Sequence, residues 1–599
     1  MEERYTYNPL DRNNAEIRLV KLEMSTADDD VSCELLTVPL ASAPPYEALS
    51  YTWGSPLNKR KILMDGKPFQ VTRNLFAALQ HLRNPTTHRL LWIDAICINQ
   101  EDIDERNCQV RLMWHIYAIA GQVSVWLGEE ADDSAVAMEM IRMLAKNYDI
   151  QMSKAIEQFR KEGELARDRL LERPWWRRVW VIQEVAASRG HPVWVGCGQS
   201  WLPWDAFMEA ALGIENMKGH PFFERVNRLG EGTKWILDKA TLKVAPDPRQ
   251  ERRDNWPGLL NYLHLTSSYS ATDPRDKVFA LLGLVPGLSI IPDYKEPVEQ
   301  VFGNLVKESI RATHSLMMLV LQRKPRRLAL PSWVPDLSTE VDRGLFNGGC
   351  PMGFYSADGN GWYNLGIGSV LCQLVEDDPP HQLTVTGFIH DKPLVLAETW
   401  TSGKDERQSS AYKVIQNYSK LLEDTDTQHF PRKSGNHRQE CFWRTLIWNA
   451  TETDRYPAPD TYEAFFRRFK GGHDILISRS NPSADTADHQ KIAPTDEARD
   501  FYNAFVKHGL NRRFFITARG NLGSGPTDMQ EGDHICVLMG SKVPVVLRDV
   551  EEKPGCYEYV GHAYVHGIMH GEALALLDLE AETDRDGSRR IGIRSMCLV

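Results

Sequence analysis

Over the first two hundred residues, short apolar runs alternate with stretches of helical periodicity. Glu16 to Val20 and Cys33 to Pro39 read as short strands, with a turn at Asp28 to Asp30 between them. A small-residue linker, Ala43 to Pro45, leads into Tyr46 to Gly54 (YEALSYTWG), a strand running into a glycine-terminated loop. Leu75 to Leu82 fits a helix. Arg89 to Ile98 (RLLWIDAICI) is a nearly continuous apolar run with Asp94 inside it, the pattern of a strand covered on both faces. Val110, Met113, Tyr117 and Ala120 then recur at helical spacing, and Gln122 to Gly128 (QVSVWLG) is another apolar strand. Strand, helix, strand, helix, strand predicts an α/β domain with a parallel sheet, because parallel neighbours need crossover connections.

Further along, Ser134 to Asn147 reads as a helix capped by Ser134, and Lys154 to Glu172 as a charged, solvated helix stopped by Pro174. Trp175 to Ala187 (WWRRVWVIQEVAA) is aromatic and apolar on almost every side. As one helix it places Trp176, Val179, Trp180, Gln183, Glu184 and Ala187 on a common face. Val193 to Gly196 ends the domain as a strand. In the middle, Pro246 to Asn255 reads as a charged loop, Ala271 to Leu284 as a turn before a helix, and Val301 to Thr313 as a helix. Ser402 to His437 mixes helix with polar loop, and Ser480 to Asp500 reads as an exposed loop. From Arg513 onward, short strands and glycine turns predict a small β unit without a catalytic centre. The expected division is 1–45 as an N-terminal strand segment, 46–205 as the α/β domain, 206–380 as a helical middle, 381–512 as a mixed region and 513–599 as the β unit.

Charge narrows the range of partners. The 599 residues carry 70 Lys and Arg against 81 Asp and Glu, a net charge of -11. Nucleic-acid binding is not expected of an acidic chain without a basic stripe. The densest basic run, Arg323 to Arg327, is too short for a polybasic anchor. No window of about 18 apolar residues exists, so no membrane anchor is expected. Ten scattered cysteines without a C-x-x-C pair, and a polar N-terminus, point to a reducing, cytoplasmic setting.

Several chemical signatures are missing, among them the phosphate-cradling G-x-x-x-x-G-K-[ST] loop, the G-x-S-x-G elbow and H-E-x-x-H. Gly196-Cys197-Gly198 begins like a dinucleotide loop but ends on Trp201. His562, His566 and His570 stand four apart. In this glycine-broken, strand-forming run, neighbours would lie about 13 Å apart, so no metal is expected there.

Four segments in order, YEALSYTWG, LWIDAICINQ, ERNCQVRLMWHIYAIAGQVSVWLG and RPWWRRVWVIQE, closely resemble the fungal heterokaryon-incompatibility (HET) domain. TDPRDKVFALLGL, LPSWVPDL, GDHICVLMG and YVGHAYVHGIMHGEA resemble later parts of chains that carry it. The resemblance implies a role in fungal nonself recognition, where the domain triggers cell death when incompatible hyphae fuse. It also implies a partner: self-association or an incompatible partner protein. HET domains in turn look like distant relatives of Toll-receptor-type (TIR) domains. Those share a flavodoxin-like, mainly parallel sheet, and some cleave NAD with one glutamate. NAD enters here as a substrate; no cofactor is expected.

Glu184 is the first candidate, because a carboxylate among indole rings is desolvated and its pKa rises. It could hydrogen-bond a ribose and stabilise an oxocarbenium-like transition state. The W-x-x-x-E arrangement is similar to where TIR enzymes keep their glutamate. The rival reading is an ion pair with Arg177 or Arg178. Asp94 sits where open α/β sheets bind ligands, or else shapes the CINQ loop after it. Tyr51, Trp53 and Gly54 follow the first strand; Trp53 could stack on a base, and core packing is the rival reading for both aromatics. Arg106 could offer a fork to phosphate or pair with Asp94 or Glu105, and Trp180 could flank a ring. Asp102 and Glu105 fit a D-x-x-E capping box, and Asp273 to Asp276 a helix cap. Three readings stand together: a cell-death effector that hydrolyses NAD, a non-enzymatic interaction module with a structural Glu184, and a regulator of a biosynthetic pathway.

Overall fold

A computed structural model describes residues 5–24, 31–146, 154–188, 190–207, 210, 256–285, 288–321, 326–339, 355–358, 381–400, 407–425, 435–453, 455–471, 496–574, 582–583, 589–590 and 593–599. The expected charged loop at 246–255 lies outside these residues, as do most of the polar stretch at 480–500 and the polar part of 402–437. The chain forms two compact units, Met1–Val301 and Phe302–Val599.

In the first unit, nine strands of the described residues make one sheet: β1 (Glu16–Leu22), β2 (Ser32–Pro39), β3 (Glu47–Tyr51), β4 (Lys59–Met64), β5 (Lys67–Thr72), β6 (Arg89–Trp92), β7 (Gln122–Trp126), β8 (Val193–Cys197) and β9 (Ser200–Pro203). Their order is β5-β4-β2-β1-β6-β3-β7-β8-β9. The centre, β6-β3-β7-β8, is parallel throughout. Numbered by chain position among themselves, these four strands lie in the order second, first, third, fourth. The flanks are antiparallel except for β2 beside β4. The expected mainly parallel sheet is therefore a mixed one with a parallel core. The reason lies in the amino acids. β3 and β7 are buried almost end to end, as strands covered on both faces must be. β2 buries only Cys33 and exposes Glu34, Thr37 and Pro39, which suits the sheet's antiparallel flank.

Six helices follow the strands: α1 (Arg73–Leu82), α2 (Asp94–Cys97), α3 (Ile103–Ile119), α4 (Ser134–Lys146), α5 (Lys154–Leu171) and α6 (Trp180–Ala187). Thr72 caps α1, accepting from Leu75 N–H at 3.3 Å. Asp102 caps α3, accepting from Glu105 N–H at 3.0 Å. Glu105 does not complete the expected box. Its carboxylate instead grips Arg18 on β1 at 2.6 and 2.9 Å and accepts from Asn99 N–H at 2.7 Å. Arg18, 1 % exposed, also donates to Cys97 O at 2.9 Å and Asn8 O at 2.6 Å. Ser134 Oγ accepts from Ala131 N–H rather than capping its own helix. The expected single helix over 175–187 is broken. Pro174–Arg177 is a 3-10 turn, Arg178 is extended, and α6 starts only at Trp180. A segment further on continues the unit through α7 (Trp256–Leu265) and α8 (Asp276–Phe279).

Another helix, α9 (Val298–Thr313), follows in the chain. The second unit contains a closed barrel, β10-β14-β15-β16-β20, and a four-stranded sheet, β11-β12-β13-β17. Its strands are β10 (Leu383–Asp391), β11 (Pro393–Trp400), β12 (Arg512–Thr517), β13 (Leu522–Pro526), β14 (His534–Leu538), β15 (Val545–Asp549), β16 (Cys556–His562), β17 (Tyr564–Val565) and β20 (Arg594–Leu598), with a short hairpin β18 (Glu582–Thr583) and β19 (Arg589–Arg590). The expected β-rich C-terminal stretch is present, but it does not close alone. β10 fills the place between β14 and β20, and β11 pairs with β12. Helices α10 (Arg407–Asp424), α11 (Gly435–Leu446), α12 (Thr461–Gly471) and α13 (Asp496–Gly509) share an aromatic core with β11–β13, in which Trp400 stacks on Phe505 at 4.5 Å.

The Arg18–Glu105 pair has nearly no water around it, so removing one partner strands the other charge. Arg18→Met or Glu105→Gln is expected to cost about 3–5 kcal/mol in denaturant unfolding of the purified chain. Arg18→Met combined with Glu105→Leu is expected to cost less than either single change, because no buried charge is then left unpaired.

Candidate active site

β6 ends at Trp92, opposite Ala48 of its parallel neighbour β3, so the chain leaving β6 runs on alongside the rest of β3. Ser50 and Tyr51 end β3, and Asp94 follows β6 as the first residue of α2. The apolar run over 89–98 thus ends as a strand at Trp92, and Asp94 stands just past its carboxyl end. Asn74 pins this edge, donating to Thr52 O at 2.7 Å and accepting from Trp126 Nε1 at 3.1 Å. Arg173 donates to Leu127 O at 3.1 Å and Glu129 O at 3.0 Å. Gly54 turns the chain with φ +76, a conformation that glycine adopts without strain. The opposite edge of the sheet is held by Glu47, which pairs with Arg89 and accepts from Ser124 and Gln122.

Glu184 reaches the carboxyl edge from α6 and is 2 % exposed. It accepts a short hydrogen bond from Ser50 Oγ. Trp175 Nε1 donates to the same Oγ at 2.9 Å. An indole N–H can only donate, so the single Ser50 proton is committed to Glu184. Burial pushes Glu184 from the ordinary 4.5 to about 7; Arg178 and the Ser50 proton pull it back, and Asp94 adds to the rise.

Arg178 lies between the carboxylates. Its guanidinium donates to Tyr51 O. Burial lowers its pKa, but Glu184 and Asp94 outweigh burial and hold it above its ordinary value. Asp94 is half-buried and accepts from Trp53 Nε1 at 2.8 Å and from Ala95 N–H at 2.7 Å. Burial raises its pKa against the pull of Arg178 and Trp53. The Tyr51 hydroxyl is buried beside Asp94, and Tyr117 donates to Leu49 O at 3.0 Å. Burial, then nearby carboxylates, pushes both phenols well up. The cluster runs inward from Trp53, 39 % exposed, through Asp94, Tyr51 and Arg178 to Glu184. It can move a proton at a carboxylate, stabilise a nearby cation and offer Asp94 to a polar ligand.

The structure therefore brings Glu184, Asp94, Tyr51 and Trp53 together beside Gly54. It does not bring Arg106 or Trp180 there. Arg106 lies over the Tyr294 ring at 4.0 Å, pairing with neither Asp94 nor Glu105. Trp180 hydrogen-bonds Asp276, whose pKa burial pushes up to about 6. Asp276 also accepts from Tyr294 at 2.6 Å. Asp273 caps no helix; it grips Arg275. Residues 267–285 strap α6 in place. Ser270 bridges Arg178, and Val179 N–H donates to Ser270 O at 3.1 Å. Gln183, with its amide oriented to suit both neighbours, donates to Ala280 O at 3.2 Å and accepts from Trp114 N–H at 3.1 Å. This bridge keeps Arg178 extended and aims it at Tyr51.

Sequence reasoning named Arg178 only as an ion-pair partner and missed Ser50, Trp175 and Asn74 altogether. For Ser50 a signal existed: it is a polar residue inside an apolar strand, as Asp94 is beside one. In the second unit the three histidines part. His562 meets Arg512, His566 meets Tyr564 Oη at 2.9 Å, and His570 meets Tyr456.

The raised Glu184 pKa makes a linkage prediction. The folded protein holds this proton up to about pH 7, and the unfolded chain releases it near pH 4.5. The associated stability is complete below about pH 4.5, falls as pH rises to about 7, and is flat above. Thermal unfolding of wild type relative to Glu184→Gln is expected to show this fall, on the order of 3 kcal/mol. Ser50→Ala removes the donor to the carboxylate, so the upper end of the window moves above pH 7.

Comparison with known proteins agrees with this architecture. Residues 46–184 match the family model of the heterokaryon incompatibility protein (HET), and residues 433–582 match that of the Het-6 beta-barrel domain. The chain is similar to heterokaryon incompatibility protein 6, OR allele, of Neurospora crassa, at 26 % identity over 93 % of this chain and 94 % of that protein. No solved structure matches. The first match begins at β3 and ends on Glu184; the second begins just before α11 and ends at β18. The chain is a fungal heterokaryon-incompatibility (HET) domain protein.

Proposed function

We propose that this protein acts in fungal nonself recognition, triggers regulated cell death, and does so by hydrolysing NAD at the carboxyl edge of its N-terminal sheet. The observation that carries the chemistry is the convergence of Glu184, Asp94 and Tyr51 at the ends of β3 and β6. The four parallel strands lie in the order second, first, third, fourth, the start of the flavodoxin-like order, whose ligand site sits where the strand order reverses. That order supports a TIR-like reading of the domain.

In this reaction the bond between ribosyl C1′ and the nicotinamide nitrogen breaks. The electron pair leaves with nicotinamide, whose ring becomes neutral. Water adds to C1′ and releases a proton. Ionised Glu184 stabilises the cationic, oxocarbenium-like ribosyl group. Asp94 accepts from a ribose hydroxyl, and Trp53 offers a face for a ring to stack on. A carboxylate titrating near 7 is poised for such work near neutral pH.

The near-complete burial of Glu184, with Ser50 and Arg178 already on it, favours a second reading. In that reading the carboxylate is structural and the domain is an interaction module that assembles with itself or a partner.

NAD consumption by the purified full chain separates the two. Glu184→Gln is expected to lower the rate on the order of 10²–10³ while circular dichroism stays unchanged. Wild-type activity is expected to rise as pH passes through about 7, since the ionised form acts. Equal activity in both proteins would remove Glu184 from the mechanism. No NAD loss by the wild type, purified or expressed in a fungal cell, would leave the interaction module.

A further inference from the structure

The second unit holds a polar cleft of about 480 Å³, within the size range of small-molecule sites. One wall is α11, where His437, Glu440 and Arg444 recur at helical spacing. Asn449 and the stretch Arg455 to Asp460 form another wall, and His566 a third. Arg444 is 8 % exposed. It donates through Nε to Glu440 at 2.9 Å, through Nη1 to Asn449 at 2.7 Å and Ala458 O at 2.8 Å, and through Nη2 to Asp460 at 2.5 Å. A guanidinium has five N–H groups, so one Nη2 N–H has no partner among the described residues.

Three further donors border the same space. Arg455 is exposed and makes no ion pair among the described residues. His437 is exposed at the first turn of α11. His566 is held neutral by burial and by Arg444. Its Nδ1 faces the buried Tyr564 hydroxyl at 2.9 Å. That phenol keeps its proton and can donate it to Nδ1, which leaves the imidazole proton on Nε2.

Of the two carboxylates on Arg444, Asp460 is the telling one. The Asp460 side chain is 93 % exposed, so its ion pair competes with water and is weak. A buried guanidinium whose Nε and Nη1 are taken by Glu440, Asn449 and Ala458 O thus presents Nη2 to a surface carboxylate that is easily displaced. We infer that this cleft binds a small oxyanion, a carboxylate or a phosphate monoester, at the place Asp460 now occupies. Arg444 takes the ligand oxygen, Arg455 adds charge, His437 and His566 border the same space, and Asp460 is an internal stand-in that the ligand replaces. Bidentate contact with Arg is the expected geometry for either oxyanion.

The test is calorimetric titration of the full-length protein with sodium phosphate and, separately, with sodium succinate, at constant ionic strength in chloride. Saturable binding of at least one is expected, and which one saturates tells phosphate from carboxylate. Arg455→Ala is expected to weaken that binding about tenfold, and Asp460→Asn to tighten it about fivefold by removing the competitor. Asn removes the charge, keeps the size, and is a residue well suited to the position just before a helix. No saturation with either anion would overturn the inference. So would saturation that neither substitution changes, since the anion would then be bound elsewhere.

Discussion

A carboxylate taken out of water must be given hydrogen bonds and a counter-charge, or it takes up a proton. At Glu184 that requirement organises the carboxyl edge of the sheet. Ser50 supplies a proton whose direction Trp175 enforces, and Arg178 supplies charge. The result is a compromise, with burial and Asp94 pushing the pKa up and these partners holding it near neutrality. A fully ionised Glu184 would need stronger compensation than Ser50 and Arg178 provide. A fully neutral one would leave Arg178 facing Asp94 alone.

The same requirement explains the broken helix. Had 175–187 formed one helix, the Arg178 backbone could not have bridged Ser270. The segment 267–285 offers backbone partners to Arg177, Arg178, Val179 and the Gln183 amide, and the Asp276 carboxylate to Trp180. It lies beyond the stretch that matches the HET family model, as do β1 and its buried Arg18. The matched segment carries the site, and its packing is finished by chain on either side. The second unit repeats the pattern. Its barrel closes with β10 and β20, both outside the matched 433–582.

Polar groups at the two edges of the parallel core do different work. At the amino edge, Glu47, Arg89, Gln122 and Ser124 satisfy one another directly. At the carboxyl edge the groups are stacked in depth, from solvent at Trp53 to full burial at Glu184. Opposite charges kept partly unsatisfied in a gradient of burial are where perturbed pKa values gather, and where chemistry or ligand binding is built.

The sequence by itself determined the strands of the parallel core, because continuous apolar runs flanked by helical periodicity admit few other arrangements. It also singled out Asp94 and Glu184, since a carboxylate in an apolar context must be either partnered or used. The tertiary structure alone decided the rest. Strands β10 and β11 join partners more than a hundred residues away, and no local pattern records such a pairing. The antiparallel flank came from β1 pairing between β2 and β6, which no local pattern records. Ser50 and Trp175 became parts of the site because strand and turn meet there. Arg106 and Trp180 left it because Tyr294 and Asp276, distant in sequence, reach them first. Periodicity reports which face of an element is buried, while the partner of a polar group is set by whichever segment packs against that face.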